Sequence, residues 1–185
     1  NQIINYQPKQ IILLDNSEFL LYKIEKEIED KVKNIKINVL LADIKNTKRI
    51  DSIFNQNKPE IIFHAAALKH VPIVEKNPLE GILTNVHGTV NIAQSCIKHN
   101  VAEMVLISTD KAVNPFSVMG VTKRISEKYC QSLANSSKTN FKIVRFGNVL
   151  GSTGSVVPLF QEQLQKGGPL TVTHPKMKRY FMTVR

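Results

Sequence analysis

The sequence predicts a doubly wound α/β fold, a parallel sheet with helices on both faces. Three observations carry this prediction. Short runs of Ile, Leu and Val recur along the chain without polar alternation, as strands buried on both faces do. Longer segments between them return their apolar residues at helical spacing. Polar residues follow the apolar runs directly, at the carboxyl strand ends where open parallel sheets bind ligands.

Residues 11–14 form the first apolar run, closed by Asp15 and Asn16, and Ser17 then caps a helix whose apolar face is Leu20, Leu21, Ile24 and Ile28. The alternation repeats as strand 35–41, helix 47–57, strand 61–63 and a longer helix 78–99. After a loop at Asn100 come strand 101–107, amphipathic helix 118–134 and strand 141–146. Beyond Gly147, glycines at 151, 154, 167 and 168 and prolines at 158, 169 and 175 break the pattern. The chain therefore divides into a cofactor-binding part, 1–150, and the start of a substrate-binding region, 151–185. No internal repeat or low-complexity segment stands out.

A length of 185 residues suits one domain. The 25 Lys and Arg against 15 Asp and Glu give +10, and the last fifty residues hold eight basic and one acidic residue, so they carry +7 of it. Such a basic end fits nucleic acid, an anionic membrane surface or a phosphorylated small ligand. Nucleic acid is the weakest of these, because no aromatic-basic interleaving or recognition motif accompanies the charge. Hydrophobic content of 42% excludes a disordered chain. No apolar run approaches the roughly 20 residues of a membrane-spanning helix, so the chain reads as soluble. Cys96 and Cys130 lie in helical segments without paired spacing, which argues against a disulfide framework and for a reducing, cytoplasmic setting. No metal is expected, and the spacing of His64 and His70 matches no zinc pattern. The chain starts at Asn1 without a signal peptide and stops inside an ordered stretch, so it reads as cut at both ends.

Four strand ends are informative. Asp15 stands where a dinucleotide-binding fold places the acid for the adenosine ribose hydroxyls; it favours NAD, since it would repel a 2′-phosphate. Alone it equally reads as an acidic helix-start residue. The glycine-rich phosphate loop belongs about 20 residues upstream, before Asn1, and the strand preceding that loop belongs in the middle of the sheet. Asp43 is placed to accept from an adenine amino group, or is a turn residue. Ala65, Ala66 and Ala67 let a flat cofactor lie close to the backbone, or serve close helix packing, while His64 reads as a satisfied core histidine. At the fourth end Thr109, Asp110 and Lys111 set a hydroxyl, a carboxylate and an ammonium side by side, as acid-base chemistry requires, although a surface run has the same composition. Met119 and Lys123 follow on one face of one helix.

The runs 14–18 (LDNSE), 64–72 (HAAALKHVP), 108–115 (STDKAVNP), 119–124 (MGVTKR) and 145–152 (RFGNVLGS) together resemble the nucleotide-sugar 4,6-dehydratases of polysaccharide biosynthesis, which are extended short-chain dehydrogenase/reductases. The resemblance implies a Rossmann-like sheet, here without its first strand and glycine loop. It implies NAD, held by Asp15, Asn16, Asp43, Ile44, Ala65, Ala66, Ala67, Asn85 and Lys123. It implies a UDP-N-acetylhexosamine substrate, UDP-N-acetylglucosamine first, near Lys69, His70, Asn148, Val149 and Ser155, with Arg179 on the diphosphate. Met119 stands where soluble members carry Tyr, as in the membrane-anchored branch, whose catalytic domain is cytoplasmic and whose parent chain sits in the inner membrane. A homo-oligomer is also implied.

In the implied chemistry NAD takes the C4 hydride, water leaves across C5 and C6, and the hydride returns to C6. Asp110 protonates the leaving 6-hydroxyl and must hold a proton when substrate arrives. Lys111, neutral, removes the C5 proton. Thr109 takes over the Tyr role that the thioether of Met119 cannot play, and Lys123 holds the nicotinamide ribose. Two readings compete: a nucleotide-sugar epimerase, which needs Tyr at 119 and has no use for Asp110 and Lys111, and a catalytically silent NAD-binding module.

Overall fold

A computed structural model of the chain describes every residue except 1, 30, 33, 151–155, 173–175, 177, 179 and 184–185. Strands β1 (Gln10–Asp15) and β2 (Lys36–Leu41) pair in parallel. A second parallel set joins β3 (Ile61–His64), β4 (Glu103–Thr109) and β5 (Asn140–Phe146) in that order. The short strands β6 (Asn148–Val149) and β7 (Phe181–Met182) also pair in parallel. Among the described residues no hydrogen-bonded ladder joins β1 to β3.

The helices begin where local chemistry directs. Asp15 Oδ1 accepts from the Ser17 N–H at 2.8 Å and Ser17 Oγ from the Leu20 N–H at 3.3 Å, which opens α1 (Glu18–Glu29). Leu21 and Ile28 are its buried residues; Leu20, assigned to the apolar face by spacing, is 51% exposed. Helix α2 (Thr47–Asn57) has the predicted bounds, capped by Asn46 and ended by Lys58 at φ 44°. A short α3 (Val71–Lys76) occupies a stretch with no predicted element, with proline in its first turn. The predicted helix 78–99 is α4 (Pro78–Gly81), a π-helical segment Ile82–His87 and α5 (Gly88–Lys98). Helix α6 (Val118–Ala134) also has the predicted bounds; Ser117 Oγ accepts from the Gly120 N–H, and Glu75 Oε1 from the Val118 N–H at 2.6 Å. Beyond Gly147 the chain includes α7 (Val156–Gln165), a helix that the density of glycine and proline obscures in the sequence.

One core forms on one face of the sheet, where Ile50, Ile53 and Phe54 of α2, Ile92, Ala93 and Cys96 of α5 and Cys130 of α6 pack on Met104 and Leu106 of β4. On the opposite face α1 covers β1 and β2, with Leu21 near Val39 and Leu41. Ile61 and Phe63 of β3 stay about half exposed, at 52% and 54%. Cys96 and Cys130 are free, buried thiols, pushed up by burial to about 12 and about 11. No helix among the described residues is long and apolar enough to cross a membrane.

Candidate active site at the carboxyl ends of the strands

Thr109 ends β4 and caps a single 3-10 turn, Asp110–Ala112. Its Oγ1 donates to Asp110 Oδ1 at 2.9 Å and accepts from the Lys111 N–H at 3.3 Å. Lys111 Nζ donates to the same Asp110 oxygen at 2.9 Å and to Asn148 Oδ1 at 3.4 Å. Burial alone would raise the Asp110 pKa, but the hydrogen bonds from Lys111 and Thr109 hold it below the ordinary carboxylate value. Lys111 Nζ and Asp110 Oδ1 thus stand as a close pair, 2.9 Å apart.

Helix α6 approaches this turn closely. A Cβ on Gly120 would lie 2.4 Å from the Lys111 carbonyl oxygen, so glycine is what allows the contact. Met119 is 3% exposed, a packing residue rather than one that faces an open site. Lys123, 5% exposed, donates to the Ile107 carbonyl at 2.7 Å. Burial pushes it down to about 8, with Glu127 pulling the other way.

Asn85, expected near the cofactor, has protein partners on both its side-chain atoms. It lies in the π segment and is 1% exposed. Its Nδ2 donates to the Leu68 carbonyl and to Thr122 Oγ1, and its Oδ1 accepts from the Leu68 N–H at 2.8 Å. It thus clasps the loop after β3 to α6 and reaches the site only through that loop. Ala65 and Ala66 on the loop are exposed. Ile44 is buried with its side chain against Gly88, and its carbonyl accepts from Asn91 Nδ2 at 2.9 Å. Asp43 Oδ1 accepts from the Lys45 N–H at 2.8 Å, a turn contact, and its Oδ2 lies 3.6 Å from Lys45 Nζ. Asp15 keeps one oxygen on the Ser17 N–H, and Asn16 is exposed beside it.

The ladder of β6 with β7 brings Asn148 and Val149 to Phe181 and Met182, so the structure joins Asn148 to the Asp110–Lys111 pair. Lys69 and His70 are exposed ahead of α3. Ser155 and Arg179 lie outside the described residues. Among the described residues no group of His, Cys, Asp and Glu is placed to hold a metal.

Sequence reading overlooked Gly120, Thr122 and Glu127. The signal for Glu127 is its place four residues after Lys123, one helical turn below it. Its side chain has no exposed surface and accepts from Ser108, Arg145 and Arg124. Burial would raise its pKa, but those donors bring it down to about 2 from 4.5. His64 is the core histidine expected, hydrogen-bonded to Thr89 at 2.9 Å and held down to about 3 from 6.5, by burial first and by Lys123 second. Both groups act on stability with one sign. The unfolded chain binds the His64 proton below pH 6.5 and the Glu127 proton below pH 4.5, and the folded protein resists both. Stability therefore drops as the pH drops, by up to about 1.4 kcal/mol per pH unit for each proton. In chemical denaturation from pH 8 to 4, His64→Gln is expected to flatten the slope between pH 6.5 and 4.5. An unchanged slope would show that His64 titrates alike in both states.

Comparison with known proteins is consistent with this geometry. The model of a family described as "Polysaccharide biosynthesis protein" matches residues 1–185. The chain is 51% identical over 185 residues to the capsular polysaccharide biosynthesis protein CapD of Staphylococcus aureus, covering 99% of this chain and 31% of CapD. It is 38% identical over 191 residues to a UDP-glucose 4-epimerase of Rickettsia canadensis, covering 100% of this chain and 55% of the epimerase. It is 33% identical over 184 residues to an inverting UDP-N-acetylglucosamine 4,6-dehydratase of Campylobacter jejuni, covering 97% and 53%. The chain thus spans a third to about half of these relatives. Among solved structures, Pen from Bacillus thuringiensis superposes with TM-score 0.91 at 37% identity over 98% of this chain and 57% of its own. The dTDP-glucose 4,6-dehydratase DesIV of Streptomyces venezuelae, solved with NAD and TYD, superposes with TM-score 0.82 at 20% identity over 95% and 59%. The fold is the Rossmann-like fold of nucleotide-sugar dehydratases and epimerases, and the chain belongs to the polysaccharide biosynthesis protein family.

Proposed function

We propose that the whole protein is an NAD-dependent lyase that removes water across C5 and C6 of a UDP-N-acetylhexosamine, UDP-N-acetylglucosamine first, for polysaccharide or capsule synthesis. The observation that carries this reading is the hydrogen-bonded run Thr109, Asp110 and Lys111 beside an α6 that bears Met119. An epimerase returns its hydride to C4 and needs no acid-base pair at C5 and C6, so it leaves the Asp110–Lys111 pair without a task. The Rickettsia relative makes that the second reading.

The parts fit NAD. Asp15, whose Oδ1 accepts from the Ser17 N–H, and the neighbouring Asn16 would hold a ribose, the exposed Ala65 and Ala66 with Ala67 would leave room for a flat ring, and Lys123 would hold the nicotinamide ribose after giving up its bond to Ile107. When bound, the cofactor supplies a hydride acceptor and, later, donor. Thr109 would take the C4 hydroxyl proton while handing its own hydroxyl proton on to solvent. Shifting the proton of the Asp110–Lys111 pair across its 2.9 Å hydrogen bond turns an ion pair into a neutral acid and a neutral base together. Asp110 then protonates the departing 6-hydroxyl while Lys111 takes the C5 proton. Lys69, His70, Asn148, Val149, Ser155 and Arg179 complete the sugar and diphosphate contacts, the last as a bidentate phosphate partner. On this reading residues 1–150 hold the cofactor and 151–185 begin the substrate region. The parent chain is anchored in the membrane with this part in the cytoplasm, and exposed apolar residues such as Leu79, Val121 and Ile125 serve self-association.

Incubating the full-length protein with UDP-N-acetylglucosamine and weighing the product by mass spectrometry tests the reading. Loss of one water is expected; a product of unchanged mass would favour the epimerase. Isothermal titration is expected to give tighter binding of NAD than of NADP, because a carboxylate at Asp15 accepts from a ribose diol and repels a 2′-phosphate. Equal affinities would remove Asp15 from the cofactor site.

A further inference from the structure

Glu127 ties together the two strands that deliver Asp110, Lys111 and Asn148. Ser108 of β4 and Arg145 of β5 are opposite partners in the ladder. Ser108 Oγ donates to Glu127 Oε1 at 2.6 Å. Arg145 forks across the carboxylate, Nε to Oε1 at 2.8 Å and Nη2 to Oε2 at 2.7 Å. Arg124 Nη1 adds a fourth contact to Oε2 at 3.1 Å. Each oxygen of a carboxylate with no exposed surface thus meets two donors, as a buried charge requires. One rung further Thr109 faces Phe146, and there the chains part. The β4 side turns into Asp110–Ala112, the β5 side passes Gly147 to Asn148, and Lys111 meets Asn148 across the gap.

We propose that Glu127 is a positioning residue: it locks the Ser108–Arg145 rung at the base of this fork and so sets Asp110 and Lys111 against Asn148. The fork is a feature of the chain itself, while its part in catalysis rests on the dehydratase reading. A residue that merely held the fold would act alike on every step and every background. On this proposal Glu127 acts on the rate through the contact of Lys111 with Asn148.

The test uses the full-length protein, with hydrogen exchange followed by mass spectrometry beside kinetics. Glu127→Gln is expected to speed exchange in segments 108–113 and 146–150 about tenfold and leave strand β2 unchanged. It should lower kcat about ten- to a hundredfold with KM moved less than about threefold. In an Asn148→Ala background the same substitution should cost less than about threefold, since the contact it protects is already gone. Ser108→Ala, which deletes one oxygen and keeps the ion pairs, should loosen 108–113 alone, and it decides the matter if Glu127→Gln does not fold. Equal losses in both backgrounds, or unchanged exchange at 108–113 in Ser108→Ala, would overturn the proposal. Should the wild type remove no water from UDP-N-acetylglucosamine, the dehydratase reading falls while the exchange data still decide whether Glu127 holds the fork.

Discussion

On the dehydratase reading, Asp110→Asn in the full-length protein is expected to slow dehydration by about 10²- to 10⁴-fold, the contribution of a positioned general acid, while hydride transfer from C4 survives. Asn keeps the shape and still accepts from Thr109 and Lys111, but it has no proton to give the leaving 6-hydroxyl. A substrate analogue without the 6-hydroxyl separates the steps, because it has nothing to eliminate. With it, the variant should still reduce bound NAD at close to the wild-type rate, read as nicotinamide absorbance. Thr109→Val should do the opposite and slow that reduction, since the C4 hydroxyl loses its proton partner. The pairing sharpens this expectation: the hydrogen bonds from Lys111 and Thr109 hold the Asp110 carboxyl below its ordinary value, so on the dehydratase reading it must first receive a proton, and Lys111 Nζ lies 2.9 Å away. If Asp110→Asn abolishes reduction with the analogue and Thr109→Val leaves it intact, the two roles are exchanged.

Gly120→Ala should be strongly damaging, against the usual gain of about 1 kcal/mol when alanine replaces glycine inside a helix. The new Cβ meets the backbone oxygen of Lys111 at 2.4 Å, with Pro115 Cβ at 3.1 Å and Ser117 Oγ at 3.2 Å behind it. A backbone carbonyl cannot swing aside as a side chain does, so either α6 or the 110–112 turn must move. Overpacking of this kind costs about 1–3 kcal/mol, which exceeds the propensity gain. The displaced turn carries the candidate acid and base, and a shift of about 1 Å there can cost a hundredfold in rate. Thermal unfolding and turnover of the full-length variant measure both effects. A variant as stable and as active as the wild type would show that the helix and the turn do not press on each other.

The order of elements was legible because burial on both faces leaves a simple mark: apolar runs for the strands, helical spacing between them. Helices α2 and α6 follow from that spacing, and the structure adds Asn46 and Ser117 as their caps. The strand-end positions of Asp15, Asp43, His64 and Thr109 follow from the same order, and with them the location of the candidate site. Helix α7 was hidden because proline in a first turn costs a helix little, yet reads as a breaker in a glycine-rich stretch.

Local sequence determined which elements form and which residues stand at their carboxyl ends. Contacts between distant segments decided the rest. The π segment that carries Asn85 to Leu68 and Thr122, the burial of Met119 and the pairing of Asn148 with Lys111 have no local signature, because each depends on where another element packs. The pairing of Asp110 with Lys111 was decided in the same way. A carboxylate beside a lysine in sequence becomes an ion pair only when a capped turn brings both side chains to one point, and there the Coulomb attraction and hydrogen bonds outweigh the cost of burial.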